Sequence, residues 1–410
     1  MAAFALGFAI IAAAWLTQLP AASQAIGLVF LVASVVGARV ARAMITPRVT
    51  AATEWGRAAC VFLAELAIYA GLAGGVTLAA ASVTGQASAG SGATDGLAGP
   101  FGPMLQGGIV DRLGGHGAAG VWMMAVVAAV ILALHHVADL CSAGPAARMP
   151  RLGSLRLLLA GAAAILVGPR LAVLVALLLS LLGLLYTLVR PADTETLDTP
   201  VIAGYRGDGP LSAWIGGWVN GRLPPAPPLM VGLLVTCMLA ALGLRNLPGI
   251  LVLAPAEAML LATLGSSHLH DGRGDWRVPP LLQAGEYVFL GAAGYAGHVA
   301  APVTFGLIAA VGLRHLDMAY RARNRVPLSW FMERRWRQVP RADWRGFGWE
   351  GRMILAGIAL MGGITSGVYL VLAAYLFLLA AADYLASWSN ASLPAYAPAP
   401  APGGHHPADG

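Results

Sequence analysis

The sequence has no lysine, and only 11% of its 410 residues are charged. Without lysine there is no Walker A phosphate loop, and neither a Rossmann fingerprint nor a nucleophile elbow stands anywhere in the chain. Cysteine is nearly absent as well. Cys60, Cys141 and Cys237 lie in or beside apolar segments without metal-like spacing, which excludes a disulfide framework and a cysteine zinc site. The first apolar run, 3–15, has no basic residues before it, so it reads as a membrane helix and not as a cleaved signal.

What the chain does have is hydrocarbon. Apolar residues make up 58% of it, and several runs reach the roughly 20 residues that a helix needs to cross a bilayer. Twelve segments stand out. They are 3–19, 25–43, 57–82, 118–141, 155–168 and 171–189, then 230–244, 247–264, 280–295, 300–316, 353–363 and 367–388. Segments 155–168 and 353–363 are shorter than a full crossing. The expected fold is all-α, a polytopic membrane protein of about twelve transmembrane helices in two six-helix repeats. The expected division is 1–190 and 229–390 for the two halves, 191–228 for a cytoplasmic linker, and 391–410 for a disordered Ala/Pro-rich tail.

All 25 basic residues are arginine, and their distribution orients the set. With a cytoplasmic N-terminus, the inside loops carry Arg39, Arg42, Arg48, Arg148, Arg151, Arg190, Arg206, Arg222, Arg273, Arg277 and the cluster from Arg314 to Arg352. Only Arg112, Arg170 and Arg245 fall outside. This positive-inside bias predicts a multi-pass protein of the cell inner (cytoplasmic) membrane with both termini cytoplasmic. Arginines interleaved with Trp330, Trp336 and Trp344 suit an anionic lipid surface, with a phosphate clamp as the sharper alternative. A patch between membrane helices does not suit nucleic acid.

The halves echo one another. Leu155-Arg156-Leu-Leu-Leu-Ala-Gly returns as Gly351-Arg352-Met-Ile-Leu-Ala-Gly. Glu65-Leu-Ala-Ile-Tyr-Ala-Gly returns as Glu286-Tyr-Val-Phe-Leu-Gly-Ala, and Leu134-His-His-Val-Ala-Asp139 as Leu313-Arg-His-Leu-Asp317. Leu19-Pro20 precedes Gly37 by the interval that separates Leu247-Pro248 from Gly265. These matches keep their order, which predicts a duplication, and such repeats commonly place a site at their interface.

The densest polar cluster is 266–276, Ser-Ser-His-Leu-His-Asp-Gly-Arg-Gly-Asp-Trp. His268, His270, Asp271 and Asp275 are candidate ligands of a divalent cation such as Mg or Mn, since imidazole and carboxylate are the usual donors. The same residues also suit a solvated connector between two membrane helices. Asp271, Asp275 and Glu286 are the candidate catalytic carboxylates, and Arg273, Arg277, Arg314, His315 and Asp317 the candidate substrate-binding groups. An alternative for His315 and Asp317 is an interfacial cap at the end of their helix. Glu65 and Glu286 sit in or at the edge of apolar helices, where an acid serves function or pairs with an arginine such as Arg57.

Gly37-Ala-Arg-Val-Ala41-Arg42, followed by Arg48 to Gly71, resembles the CDP-alcohol phosphatidyltransferase family over 3–189. That resemblance implies six membrane helices, a cytoplasm-facing site, and the signature Asp-x2-Asp-Gly-x2-Ala-Arg-x8-Gly-x3-Asp-x3-Asp. In the family those aspartates hold metal against the CDP diphosphate, and the last activates the acceptor alcohol. Here Val36 precedes the glycine, and the downstream positions fall on Ala51, Trp55 and Ala59, so no signature carboxylate is in place. The second half resembles an uncharacterised actinobacterial membrane domain often fused behind such transferases. It does so through Leu223-Pro-Pro-Ala-Pro-Pro, Leu244-Arg-Asn-Leu-Pro-Gly, the 266–275 loop, Val278-Pro-Pro-Leu-Leu-Gln-Ala-Gly-Glu-Tyr and Gly348-Trp-Glu-Gly-Arg.

Two functions follow from the resemblance. One is a divergent metal-dependent phosphotransferase of phospholipid or cell-wall polymer synthesis, taking a CDP-alcohol or phospholipid substrate from the membrane lipids. The other is a catalytically inactive pseudoenzyme that scaffolds or regulates a partner transferase. A transporter is a third alternative, for which no ion pathway is legible. The topology carries its own test: a reporter fused to the tail reads cytoplasmic, and an external reading overturns it.

Overall fold

The structure, a computed structural model, describes residues 51–86, 117–142, 159–164, 169–189, 206–247, 249–268, 275–324 and 343–390, with isolated positions at 29, 32, 33 and 156. Among them there is no strand. The long helices are α1 (Ala51–Gln86), α2 (Gly117–Ser142) and α3 (Pro169–Val189). The short α4 (Pro210–Val219) precedes α5 (Ala226–Leu242). The six-residue α6 (Ala254–Met259) lies between two 3-10 turns, Gly249–Leu253 and Leu260–Gly265. Then come α7 (Val278–Ala296), α8 (Ala301–Asn324), α9 (Gly348–Met361) and α10 (Thr365–Asn390).

Four described helices are long and apolar enough to cross a membrane, through Ala58–Thr77, Gly120–Cys141, Leu171–Val189 and Thr365–Leu385. Their outward residues agree. Leu178, Leu182 and Leu185 on α3, and Leu370, Val371, Leu378 and Leu385 on α10, are exposed, as are Met230, Val231, Leu234, Met238 and Leu242 on α5. An apolar surface of that extent belongs against lipid, not water. Twelve crossings were expected from the sequence. Segment 3–19, most of 25–43 and half of 155–168 lie outside the described residues, as do 191–205 of the linker and the tail.

Two expectations change. Segment 247–264 is not one helix, because Gly249 takes a left-handed φ of +51° and Pro255 opens α6. The backbone follows 3-10, α and 3-10 geometry in turn, and α5 closes over it, with Thr236 Oγ1 donating to the Pro255 carbonyl at 3.0 Å. Residues 210–219, placed in the linker by composition, form α4, started by Pro210 and ended by a left-handed Asn220.

α7 and α8 form the central hairpin. α8 packs on α1, α2 and α10, and α7 on α2, α5 and α9. The turn between them closes through Gly297 N–H to the Ala293 carbonyl at 2.8 Å and Val299 N–H to the Gly294 carbonyl at 2.9 Å. Enclosure on every side lets this hairpin carry polar residues that a lipid-facing helix could not.

The packing leaves a test. A Cβ at Gly232 on α5 would meet the Ala258 carbonyl oxygen at 2.6 Å, which is backbone and cannot swing away, whereas nothing lies within 4 Å of one at Gly291 on α7. Gly232→Ala is expected to lower stability by about 1–3 kcal/mol, and Gly291→Ala to be neutral or to gain up to about 1 kcal/mol of helix propensity. Thermal unfolding in detergent reads both.

Candidate functional site

The polar residues of the second half come from one end of the bundle: early α7, late α8, the turn before α9, early α9 and late α10. On α7, Glu286 faces inward between Leu282, Phe289 and Leu290. Arg352 of α9 meets it with two bonds, Nε to Oε1 at 2.6 Å and Nη2 to Oε2 at 3.1 Å. Arg352 Nη1 also donates to the Gly346 carbonyl at 2.8 Å. His315 of α8 completes the group. Its Nδ1 lies 2.9 Å from the Tyr287 hydroxyl and its Nε2 3.1 Å from Glu286 Oε2. Arg352 Nη2 also lies 3.1 Å from that Nε2, so both ring nitrogens have polar partners.

Arg314, one residue earlier, gathers three carboxylates. Nη1 donates to Asp317 Oδ2 and to Asp383 Oδ2, both at 2.9 Å. Nη2 reaches Asp343 Oδ1 at 2.6 Å, and Nε reaches Asp343 Oδ2 at 3.3 Å. Arg345 shares Asp383 from the rim at 2.8 Å, and Asp343 also accepts the Gly346 N–H at 3.0 Å. Asp343, Asp317, Asp383 and Arg314 are all buried. Burial alone would raise the Asp343 carboxyl, but the Arg314 guanidinium overrides it and holds the group below its ordinary range. Asp343 Oδ2 lies 3.5 Å from Arg352 Nη1, so the two groups form one network.

A second cluster adjoins it. Arg206 pairs with Asp208 at 2.7 Å and donates to the Ala262 carbonyl at 2.9 Å. Trp349 Nε1 donates to Asp208 at 3.0 Å. Glu350 accepts from the Gly209 N–H at 3.1 Å and the Ser212 N–H at 3.0 Å, which seats its carboxylate at the N-terminus of α4. Burial first, and the charge of Asp208 second, push Glu350 up to about 7.

Residues 200–401 match the model of a family of unknown function, DUF5941. The match takes in both polar clusters and α4 to α10. No curated protein and no solved structure matches the chain.

The sequence-derived candidates divide. Glu286, Arg314, His315 and Asp317 converge, but on each other. His315 and Asp317 are not caps at a helix end, because α8 continues to Asn324. His268 Nδ1 donates to the Gly221 carbonyl at 2.9 Å, tying its loop to the end of α4. Asp275 opens a 3-10 turn. Arg277 is at the surface, donating to the Leu188 carbonyl at 3.1 Å with its guanidinium 5.2 Å over the Trp276 ring. His270, Asp271 and Arg273 lie outside the described residues. Glu65 pairs with Arg156, at the start of segment 155–168, where an arginine such as Arg57 was expected.

A divalent cation needs carboxylate oxygens converging on a shared space. Asp317, Asp343 and Asp383 converge instead on the Arg314 guanidinium, and among the described residues no group of three or more His, Cys, Asp and Glu has metal-binding geometry. These carboxylates do not fit a metal. Sequence reasoning missed Asp208, Asp343, Glu350 and Asp383 as members of the site. The one available signal was that Asp383 interrupts an apolar run.

Two tests follow. Removing one partner of a buried pair strands the other, so Arg352→Met is expected to cost about 3–5 kcal/mol, and adding Glu286→Met should recover most of that loss in a double-mutant cycle. The second concerns pH. Glu350 holds its proton in the fold up to about 7, above its ordinary 4.5. The folded chain therefore binds more protons than the unfolded one between those values, and stability falls as pH rises through that window. Glu350→Gln should flatten this slope in unfolding measured across it.

Proposed function

We propose that the chain is a catalytically inactive, multi-pass relative of the CDP-alcohol phosphatidyltransferases. It scaffolds an active transferase of phospholipid or cell-wall polymer synthesis at the cytoplasmic face of the membrane. The observation that carries this reading is Arg314, whose guanidinium engages three buried carboxylates and so leaves none of them open to a metal ion. The loss of every signature aspartate from the first half points the same way. In this reading the chain retains the family's six-helix frame, doubled to twelve crossings with both termini inside. The doubling is supported by Glu65–Arg156 and Glu286–Arg352, two buried pairs built from residues that the repeated motifs align.

The competing reading is a divergent metal-dependent phosphotransferase that uses His268, His270, Asp271 and Asp275. The place of that loop, directly before the helix that carries Glu286, favours it. One assay separates the two. Purified protein in lipid nanodiscs receives CDP-alcohols and lipid acceptors with magnesium or manganese. The scaffold reading expects no CMP release, together with co-isolation of a transferase whose activity falls when this chain is removed. CMP release that Asp271→Ala abolishes would establish the enzyme instead.

A further inference from the structure

α4 is built inside out for a helix of a water-soluble protein. Its buried residues are small ones, Ser212 and Gly216, four apart. Gly216 lies so close to the Ser266 hydroxyl that a Cβ would collide with it, and Ser266 Oγ donates to the Ser212 carbonyl at 2.9 Å. Its outward face carries the largest side chain there is, twice: Trp214 is 55% exposed and Trp218 73%. The two rings lean on each other with centroids 4.2 Å apart. In water this arrangement wastes apolar area on solvent.

Three observations identify what covers the pair. Indole combines a large apolar body with one N–H donor, the chemistry of the boundary between lipid headgroups and acyl chains. No acidic residue lies between Pro210 and Leu223, and exposed Arg222 follows the pair, which suits lipid phosphate. The chain then passes directly into α5, whose Met230, Val231, Leu234, Met238 and Leu242 are exposed apolar residues. The mounting is firm. Glu350 holds the N-terminus of α4, and His268 holds the turn after it.

We propose that α4 is an interfacial helix, with Trp214 and Trp218 seated among lipids at the headgroup–acyl boundary and Arg222 against lipid phosphate. This rests on the reading of the chain as membrane-spanning and adds to it a docking surface for the bilayer itself.

The test uses the full chain reconstituted in vesicles of phosphatidylcholine and phosphatidylglycerol. The chain holds 11 tryptophans, so the pair is read by difference between wild type and Trp214→Phe/Trp218→Phe. Difference emission should be quenched severalfold more by lipids brominated high on their acyl chains than by aqueous iodide. A second probe leaves the pair intact: Gly217→Cys, at an exposed position with nothing within 4 Å of its Cβ, carries an environment-sensitive fluorophore in a Cys237→Ser background. Its emission should be shifted to the blue and quenched by the same lipids. Quenching by iodide alone, or by neither agent as under a protein partner, overturns the proposal. Alkaline carbonate extraction keeps the two readings apart. If the chain resists extraction while the pair faces water, only the interfacial helix falls; if it is extracted, the membrane-spanning reading falls with it.

Discussion

Arg314 faces three carboxylates that arrive from three parts of the chain: its own helix, the turn before α9, and the far end of α10. Its charge in a buried setting is tolerable only because every donor nitrogen has a partner. That requirement reaches outward. Asp343 must be held by the turn at Gly346, Asp383 must come from an otherwise apolar helix, and Arg352 must bring α9 against Glu286. The helices of the second half are thus fixed at one end by charge and along their length by close apolar contact. α4 is fixed to the same end through Glu350, so the surface helix and the buried network are one mechanical unit.

This polar centre differs from a metal site, in which carboxylates converge on an ion that can leave. Here the cation is covalently part of the chain. A guanidinium offers directed donors to several oxygens at once, so it can satisfy carboxylates and fix the angles between helices as well. The first half carries a simpler version, the Glu65–Arg156 pair, beside the Tyr69 hydroxyl, which lies 3.4 Å from Ser180 Oγ.

The membrane helices α1, α2, α3 and α10 were legible in the sequence because length and uniform hydropathy are enough to mark a crossing. The break in 247–264 was not, since an apolar run reads alike whether its backbone is α or 3-10. α4 was hidden because proline and glycine flank it and its face pattern runs against the usual one. Of the site, Glu286, Arg314, His315 and Asp317 were visible as polar residues in or beside apolar segments. Their roles were not visible, because partners lie far away in sequence: Asp383 is 69 residues from Arg314, and Arg352 is 66 from Glu286. The glycine-rich loop attracted attention by ligand density, a local property, whereas the network is set by tertiary contact.

The central claim is that Arg314 saturates the three carboxylates around it and leaves no room among them for a metal ion. Electron paramagnetic resonance of Mn(II) titrated into the detergent-solubilised full chain tests it most directly, because free and bound ion differ in signal. The account predicts that wild type leaves the ion free through the micromolar range. Stoichiometric binding by wild type that Asp343→Asn or Asp317→Asn abolishes would contradict it.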